Sequence, residues 1–218
     1  MLYIQIEVIY FMFNRIILLI DDDIKVEETS IKNYLLRINA LKKETDYEHY
    51  SFQFLYSPTI ADAKKRLNSG QIVDVLVVDY QFLNETETGA DFIKYVRSVV
   101  NRQCRIIFYT MQALDTIRRE ELKELLNSDV AGMVDKYDDN SRLARMIFEA
   151  AIAQSPIIVS LERFFDKYKD ILGSYRYTVD KNEYTLYELI DHIRMDDAVG
   201  RIFTNKLLYK AIIKETDM

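Results

Sequence analysis

The chain has 218 residues, of which 49% are hydrophobic and 29% charged, and only 5 are glycine and 2 proline, so a disordered or low-complexity protein is excluded. The formal net charge of −6 argues against a surface that coats nucleic acid. The single cysteine, Cys104, excludes an internal disulfide and a Cys-x-x-Cys metal site, and it is typical of proteins in the reducing cytoplasm.

The charge is distributed unevenly along the chain. Residues 1–140 contain 17 basic and 23 acidic side chains, whereas residues 141–218 contain 12 of each. The second part is also rich in tyrosine and has mostly helical patterns. We therefore expect an N-terminal extension or extra strand at 1–13, one domain at 14–154 and a helical output or interaction region at 155–218.

The apolar segment at the beginning of the chain predicts neither a membrane span nor a signal peptide. Polar residues interrupt it before it reaches the ~20 apolar residues of a spanning helix, and Glu7 lies inside the apolar core that a signal peptide needs. Alternation between Leu2 and Tyr10 favours a strand. An equally open alternative is that translation starts at Met12, with residues 1–11 an upstream extension.

From residue 15 onwards, short apolar runs alternate with segments of helical spacing. Ile16 to Ile20 is a continuous apolar run that stops abruptly at Asp21, as in a central strand buried on both faces. Alternation of this kind predicts a doubly wound α/β domain with a five-stranded parallel sheet. The predicted strands are 15–20, 51–56, 73–78, 105–109 and 130–135, and the predicted helices are 25–43, 58–70, 90–100, 113–127 and 141–154.

The remainder, 155–218, predicts a small all-α region. Helical patterns cover 155–172 and 198–214, with a Tyr-rich connector at 174–184. Thr185 and Glu188 fit a capping box at the start of a further helix.

Polar side chains follow the strands of the predicted sheet. In an open parallel sheet, ligands bind beyond the carboxyl ends of the strands. Clustered carboxylates favour a hard divalent cation such as Mg²⁺, a carboxylate can attack phosphorus, and a hydroxyl and an ammonium group can bind phosphoryl oxygens. The residues at these strand ends are Asp21, Asp22, Asp23, Asp79, Thr110 and Lys136.

In these residues and their order, the chain resembles the receiver domain of two-component response regulators, which has a flavodoxin-like fold, over about residues 14–154. The resemblance implies Mg²⁺ as cofactor and a sensor histidine kinase or phosphotransfer protein as phosphoryl donor. It implies a phosphorelay protein that catalyses only its own phosphoryl transfer and dephosphorylation. Asp79 is implied to be the phospho-acceptor and also a Mg²⁺ ligand. The other implied Mg²⁺ ligands are Asp22, Asp21 through a water, and the Gln81 carbonyl. Thr110 is implied to be the switch hydroxyl, and Lys136 is implied to bind the phosphate.

The sequence departs from the family pattern near the site. Tyr137 stands where a proline usually follows the lysine, and Leu83 replaces another common proline ahead of a lengthened loop. Met133 occupies the aromatic switch position, and Met111 follows Thr110 where a small residue is common. We therefore expect intact phosphorylation chemistry with an atypical readout.

Two other functions fit parts of the sequence. A haloacid-dehalogenase-type phosphatase would use Asp21 and Asp23 as its acidic motif, but this leaves Asp79 unexplained and lacks the later acidic pair of that class. DNA binding is disfavoured because residues 141–218 have no net charge and no basic recognition helix. We expect the C-terminal helices to contact a partner protein or a second copy of the chain, and no membrane.

Overall fold

The computed structural model describes residues 13–23, 29–45, 47, 50–100, 104–110, 117–135, 140–153 and 156–216. The possible strand before residue 13 lies outside these ranges. Each predicted strand and helix from residue 15 onwards is present, with shifted ends. The strands are β1 Phe13–Ile20, β2 Tyr50–Ser57, β3 Val75–Asp79, β4 Arg105–Thr110, β5 Val130–Asp135, β6 Tyr177–Val179 and β7 Asn182–Tyr184; the helices are α1 Ile31–Lys43, α2 Ile60–Asn68, α3 Gly89–Tyr95, α4 Arg119–Asn127, α5 Asn140–Ile152, α6 Pro156–Leu172, α7 Leu186–Arg194 and α8 Ala198–Thr216.

The first five strands form one parallel sheet in the order β2-β1-β3-β4-β5. This confirms the predicted doubly wound, flavodoxin-like α/β fold. The strand order reverses direction between β1 and β3, so the crevice at their carboxyl ends is the place where such sheets bind ligands.

Successive side chains along each strand point to opposite faces of the sheet and form two apolar layers. Phe108 belongs to the layer beneath α2, α3 and α4. Its neighbours Ile107 and Tyr109 belong to the opposite layer, beneath α1 and α5. Because both faces are covered, the central strands are almost continuously apolar, which is why they were recognisable in the sequence.

The C-terminal region, 156–216, contains the three predicted helices, and Thr185 and Glu188 form the predicted capping box. It is not purely helical, however. The expected connector contains an antiparallel hairpin, β6-β7. The two central turn residues, Asp180 and Lys181, both have positive φ (47° and 70°), as in the type I′ turn that matches the twist of a two-residue hairpin.

A third apolar cluster joins this C-terminal unit (residues 156–216) to the amino ends of β1 and β2. Phe13 and Tyr50 pack in it with side chains of α6, α7 and α8. Two ion pairs cross the same boundary. Arg15 donates from both terminal nitrogens to Glu162, at 2.6 Å each. Arg194 binds Asp74, just before β3, at 2.5 and 2.9 Å.

Within the part of the chain that the structure describes, no single helix is long and apolar enough to cross a membrane. Helical segments 141–152 and 157–165 meet the length and composition criteria only as a pair bent by 76°.

Candidate functional site

Three carboxylates meet at the carboxyl ends of β1 and β3. One oxygen from each of Asp21, Asp22 and Asp79 lies within 4.8 Å of the others. Asp21 and Asp79 are buried, and Asp22 is half-buried. Parallel pairing of Ile20 with Val78 brings these strand ends side by side. The structure therefore brings these three predicted site residues together.

Each of the three carboxylates accepts a hydrogen bond from a main-chain N–H group. The Asp23 N–H binds Asp21 Oδ1 at 2.8 Å, and the Leu83 N–H binds Asp22 Oδ2 at 2.7 Å. The Tyr80 N–H binds Asp79 Oδ1, also at 2.7 Å. These donors hold the carboxylates in place, but they carry no full positive charge to offset three acids.

The carboxylates line an open pocket of about 710 Å³. Asp23, Gln81 and Thr110 also line it, and Thr110 is buried at the end of β4. Lys136 lies outside the described residues, as do Met111 and Tyr137. The phosphate-binding role of Lys136 therefore remains a prediction.

The lengthened loop after β3 forms one wall of this pocket and is braced against α2. Glu85 accepts a hydrogen bond from the Ile60 N–H at 2.8 Å, where a helix leaves its first N–H groups without partners. Glu87 pairs with Lys64 at 2.6 Å. The side chain of Leu83, by contrast, is 92% exposed at the rim.

Gly89 allows α3 to begin directly against the end of β3. Its N–H donates to the Tyr80 carbonyl at 2.8 Å. A Cβ atom at this position would lie 1.8 Å from the Asp79 carbonyl oxygen, far inside van der Waals contact. The position therefore requires glycine because of close approach, which sequence patterning alone did not reveal.

The start of α4 contacts Tyr80, the residue after Asp79. The Tyr80 hydroxyl donates to Glu121 at 2.5 Å, and Arg118 pairs with the same carboxylate. Burial and then the neighbouring Glu121 raise the pKa of Tyr80 to about 12. The hydrogen bonds from Arg118 and then Tyr80 lower the pKa of Glu121. Met133 packs against the apolar cluster that contains Tyr80.

Sequence reasoning missed Tyr109, whose hydroxyl donates to Asp21 Oδ2. Tyr109 is 3% exposed, and burial followed by the charge of Asp21 holds its pKa well above the usual range. A buried tyrosine hydroxyl ordinarily needs a polar partner. A tyrosine next to the last residue of a strand that is predicted to be buried was therefore the available signal.

The alternative of a haloacid-dehalogenase-type phosphatase is not supported. Its nucleophile would be Asp21, but that side chain is fully buried and both of its oxygens accept hydrogen bonds. The alternative also gives no role to Asp79, which lies in the same carboxylate cluster.

No family model matches the chain, and no curated protein sequence matches it. Among solved structures, those similar to it include receiver domains of response regulators, and the C-terminal region is left unassigned. A CheY-like receiver from Methanospirillum hungatei has a TM-score of 0.48 and 16% identity, and the match covers 62% of this chain and 91% of that one.

The receiver domain of the response regulator NarL from Mycobacterium tuberculosis has a TM-score of 0.47 and 15% identity, with coverage of 65% and 99%. The receiver domain of RcsB from Salmonella enterica, solved with a phosphomimetic, has a TM-score of 0.41 and 20% identity, with coverage of 61% and 84%. The parallel strand order and the carboxylate cluster of this chain stand independently of these likenesses.

Proposed function

We propose that this protein is a response regulator of a phosphorelay, in which Asp79 accepts a phosphoryl group with Mg²⁺ bound. The observation that carries the proposal is the meeting of Asp21, Asp22 and Asp79 within 4.8 Å at the sheet end, beside Thr110. The phosphoryl donor would be a sensor histidine kinase or a phosphotransfer protein. We further propose that the protein acts in the cytoplasm as a signalling receiver, with no other substrate.

The donor set suits Mg²⁺, because three clustered carboxylates offer hard oxygen ligands and gain by losing their mutual repulsion. Asp21, Asp22 and Asp79 would hold the ion, together with the Gln81 carbonyl. When bound, the ion supplies positive charge for the phosphoryl oxygens.

The chemistry assigned to the chain's own residues is a single displacement at phosphorus. A carboxylate oxygen of Asp79 attacks, the phosphorus–nitrogen bond of the donor phosphohistidine breaks, and its electron pair returns to the imidazole. The Thr110 hydroxyl is proposed to donate to a phosphoryl oxygen, and Lys136 is proposed to pair with another. Attack by water on the phosphorus later restores the Asp79 carboxylate and releases phosphate.

The proposal includes a response of the C-terminal unit. β1 carries Asp21 and Asp22 after its carboxyl end and Arg15 near its amino end, where Glu162 binds it. β3 ends in Asp79, and Asp74 immediately before it binds Arg194. Both strands that supply the site are thus attached to the C-terminal unit at their other ends. We propose that phosphorylation changes this packing and, through it, the contacts made with a partner protein or a second copy.

Acetyl phosphate and Mg²⁺ test the proposal directly. We expect the wild-type chain to gain the mass of one phosphoryl group, and we expect Asp79→Asn to gain none. Asp129→Asn is the matched control, because Asp129 is exposed and asparagine tolerates its positive φ of 52°. Chelation of Mg²⁺ should abolish labelling. Labelling of Asp79→Asn at Asp21 would overturn the assignment.

Hydrogen exchange with and without beryllofluoride tests the response of the C-terminal unit. We expect altered protection in α6 and α7 of the wild-type chain and no change in Asp79→Asn. Unchanged protection throughout residues 156–194 of the wild-type chain would refute the coupling, while leaving phosphorylation of Asp79 intact.

A further inference from the structure

The hydroxyl of Tyr109 reaches the Asp21 carboxylate from beneath the candidate site. Thr110 lines the pocket, whereas the preceding residue, Tyr109, belongs to the apolar layer under α1 and α5. From this layer the hydroxyl donates to Asp21 Oδ2. Tyr109 therefore reaches the carboxylate cluster without being one of the residues that line the pocket.

Among the described residues, a donor approaches each of the two oxygens of Asp21. The Tyr109 hydroxyl binds Oδ2, and the Asp23 N–H binds Oδ1 at 2.8 Å. A carboxylate can turn about its Cβ–Cγ bond, but hydrogen bonds to both oxygens restrict that rotation. Because Asp21 is fully buried, water cannot readily replace a donor that is lost.

We propose that Tyr109 is a positioning residue, which holds the Asp21 carboxylate in the orientation that binds a divalent cation. This inference rests on the proposed function only in so far as the cluster binds Mg²⁺. Hydrogen-bond partners behind a metal ligand typically contribute about 10–100-fold to metal affinity.

The hydrogen bond also has an opposing electrostatic effect, because a donor withdraws negative charge from the carboxylate. If that effect dominated, removal of the hydroxyl would strengthen Mg²⁺ binding. The proposal predicts the reverse, since a fully buried carboxylate that loses its orienting donor must be ordered again when the ion binds.

Calorimetric titration of Tyr109→Phe with Mg²⁺ tests the inference. We expect the dissociation constant to rise about tenfold or more. Tyr50→Phe is the matched control, because the Tyr50 hydroxyl donates to another buried carboxylate, Glu162, at 2.9 Å, at the opposite end of the strands. We expect Tyr50→Phe to keep the wild-type affinity. Equal losses in both variants, or tighter binding by Tyr109→Phe, would overturn the proposal.

A double-variant comparison separates positioning from general destabilisation. If Tyr109 acts through Asp21, adding Tyr109→Phe to Asp21→Asn should not weaken Mg²⁺ binding further. An unaltered tenfold loss in that background would contradict the proposal. Thermal unfolding without Mg²⁺ shows that each variant folds.

Phosphorylation provides a separate measurement. Labelling of Tyr109→Phe by acetyl phosphate should return to the wild-type rate at saturating Mg²⁺, because Asp79 and Thr110 are unchanged. Absence of any wild-type labelling, together with normal Mg²⁺ titrations, would refute phosphoryl acceptance and leave the role of Tyr109 standing. Absence of wild-type Mg²⁺ binding would overturn both.

Discussion

Replacement of Glu162 by glutamine should destabilise the whole fold, although the change is nearly isosteric. Glu162 is the carboxylate partner of Arg15, and both side chains are almost completely inaccessible to solvent, at 1% and 0% exposed. It accepts two hydrogen bonds of 2.6 Å from Arg15 and one of 2.9 Å from Tyr50. Glutamine can replace one acceptor, but it leaves the guanidinium charge buried without its counter-charge.

The expected loss is large because the remaining charge cannot be rehydrated. Breaking a buried ion pair by removing one partner costs about 3–5 kcal/mol. In a chain of this size each kcal/mol lowers Tm by about 2–4 °C, so we expect Glu162→Gln to unfold about 6–20 °C lower. Urea unfolding followed by circular dichroism measures the free-energy change directly.

Two comparisons sharpen the test. Arg118→Ala removes an ion pair whose arginine is 77% exposed, and it should cost far less than Glu162→Gln because solvent screens an exposed pair. Replacing both buried partners, as Arg15→Met with Glu162→Leu, should recover most of the lost stability, because the uncompensated charge is also removed. A loss for Glu162→Gln no larger than that for Arg118→Ala would refute this reasoning.

Three further outcomes are expected. Gly89→Ala should abolish acetyl-phosphate labelling, because its Cβ would collide with the Asp79 carbonyl. The control, Gly70→Ala, should retain labelling despite backbone strain of about 1–2 kcal/mol at a φ of 82°. Normal labelling of Gly89→Ala would contradict the close approach. Burial raises the pKa of Cys104 to about 11, so Ellman's reagent should modify it only after unfolding, and rapid reaction of the native protein at pH 8 would argue against its burial. Arg118 and Tyr80 lower the pKa of Glu121, and Thr185 lowers that of Glu188. The ionised carboxylates therefore stabilise the fold above the ordinary glutamate pKa of about 4.3, and this stabilisation is lost as pH falls below that value. Urea midpoints that stay constant from pH 6 to pH 3.5 would contradict this.

The parallel sheet and the carboxylate cluster were predictable because they depend on local signals. Asp21, Asp22, Asp79 and Thr110 each directly follow or end a short apolar run, and parallel strands bring such positions to one edge of a sheet. Because ligands bind at this edge of a parallel sheet, the order of the strands is enough to place these residues near the ligand site.

Other features depend on contacts that local patterns do not encode. The β6-β7 hairpin has strands of three residues and a turn without glycine, so it lacks the usual hairpin signal. Arg15 is a charged residue within β1, and no local pattern predicts its burial, because its partner Glu162 is remote in sequence. Tyr109 falls within the predicted strand 105–109, and only the folded sheet shows that its hydroxyl reaches Asp21.

The attachment of the C-terminal unit also imposes an order on biosynthesis. Glu162 follows Arg15 by 147 positions, and Arg194, which donates to the Asn14 carbonyl, follows that residue by 180. At a translation rate of about 5–20 residues per second, β1 waits roughly 7–30 seconds for Glu162 to be added. During that interval the aromatic side chains of Phe13 and Tyr50 lack the helices that cover them in the finished fold. The nascent chain therefore exposes an apolar sheet end to chaperones and to neighbouring unfinished chains until its last third has been synthesised.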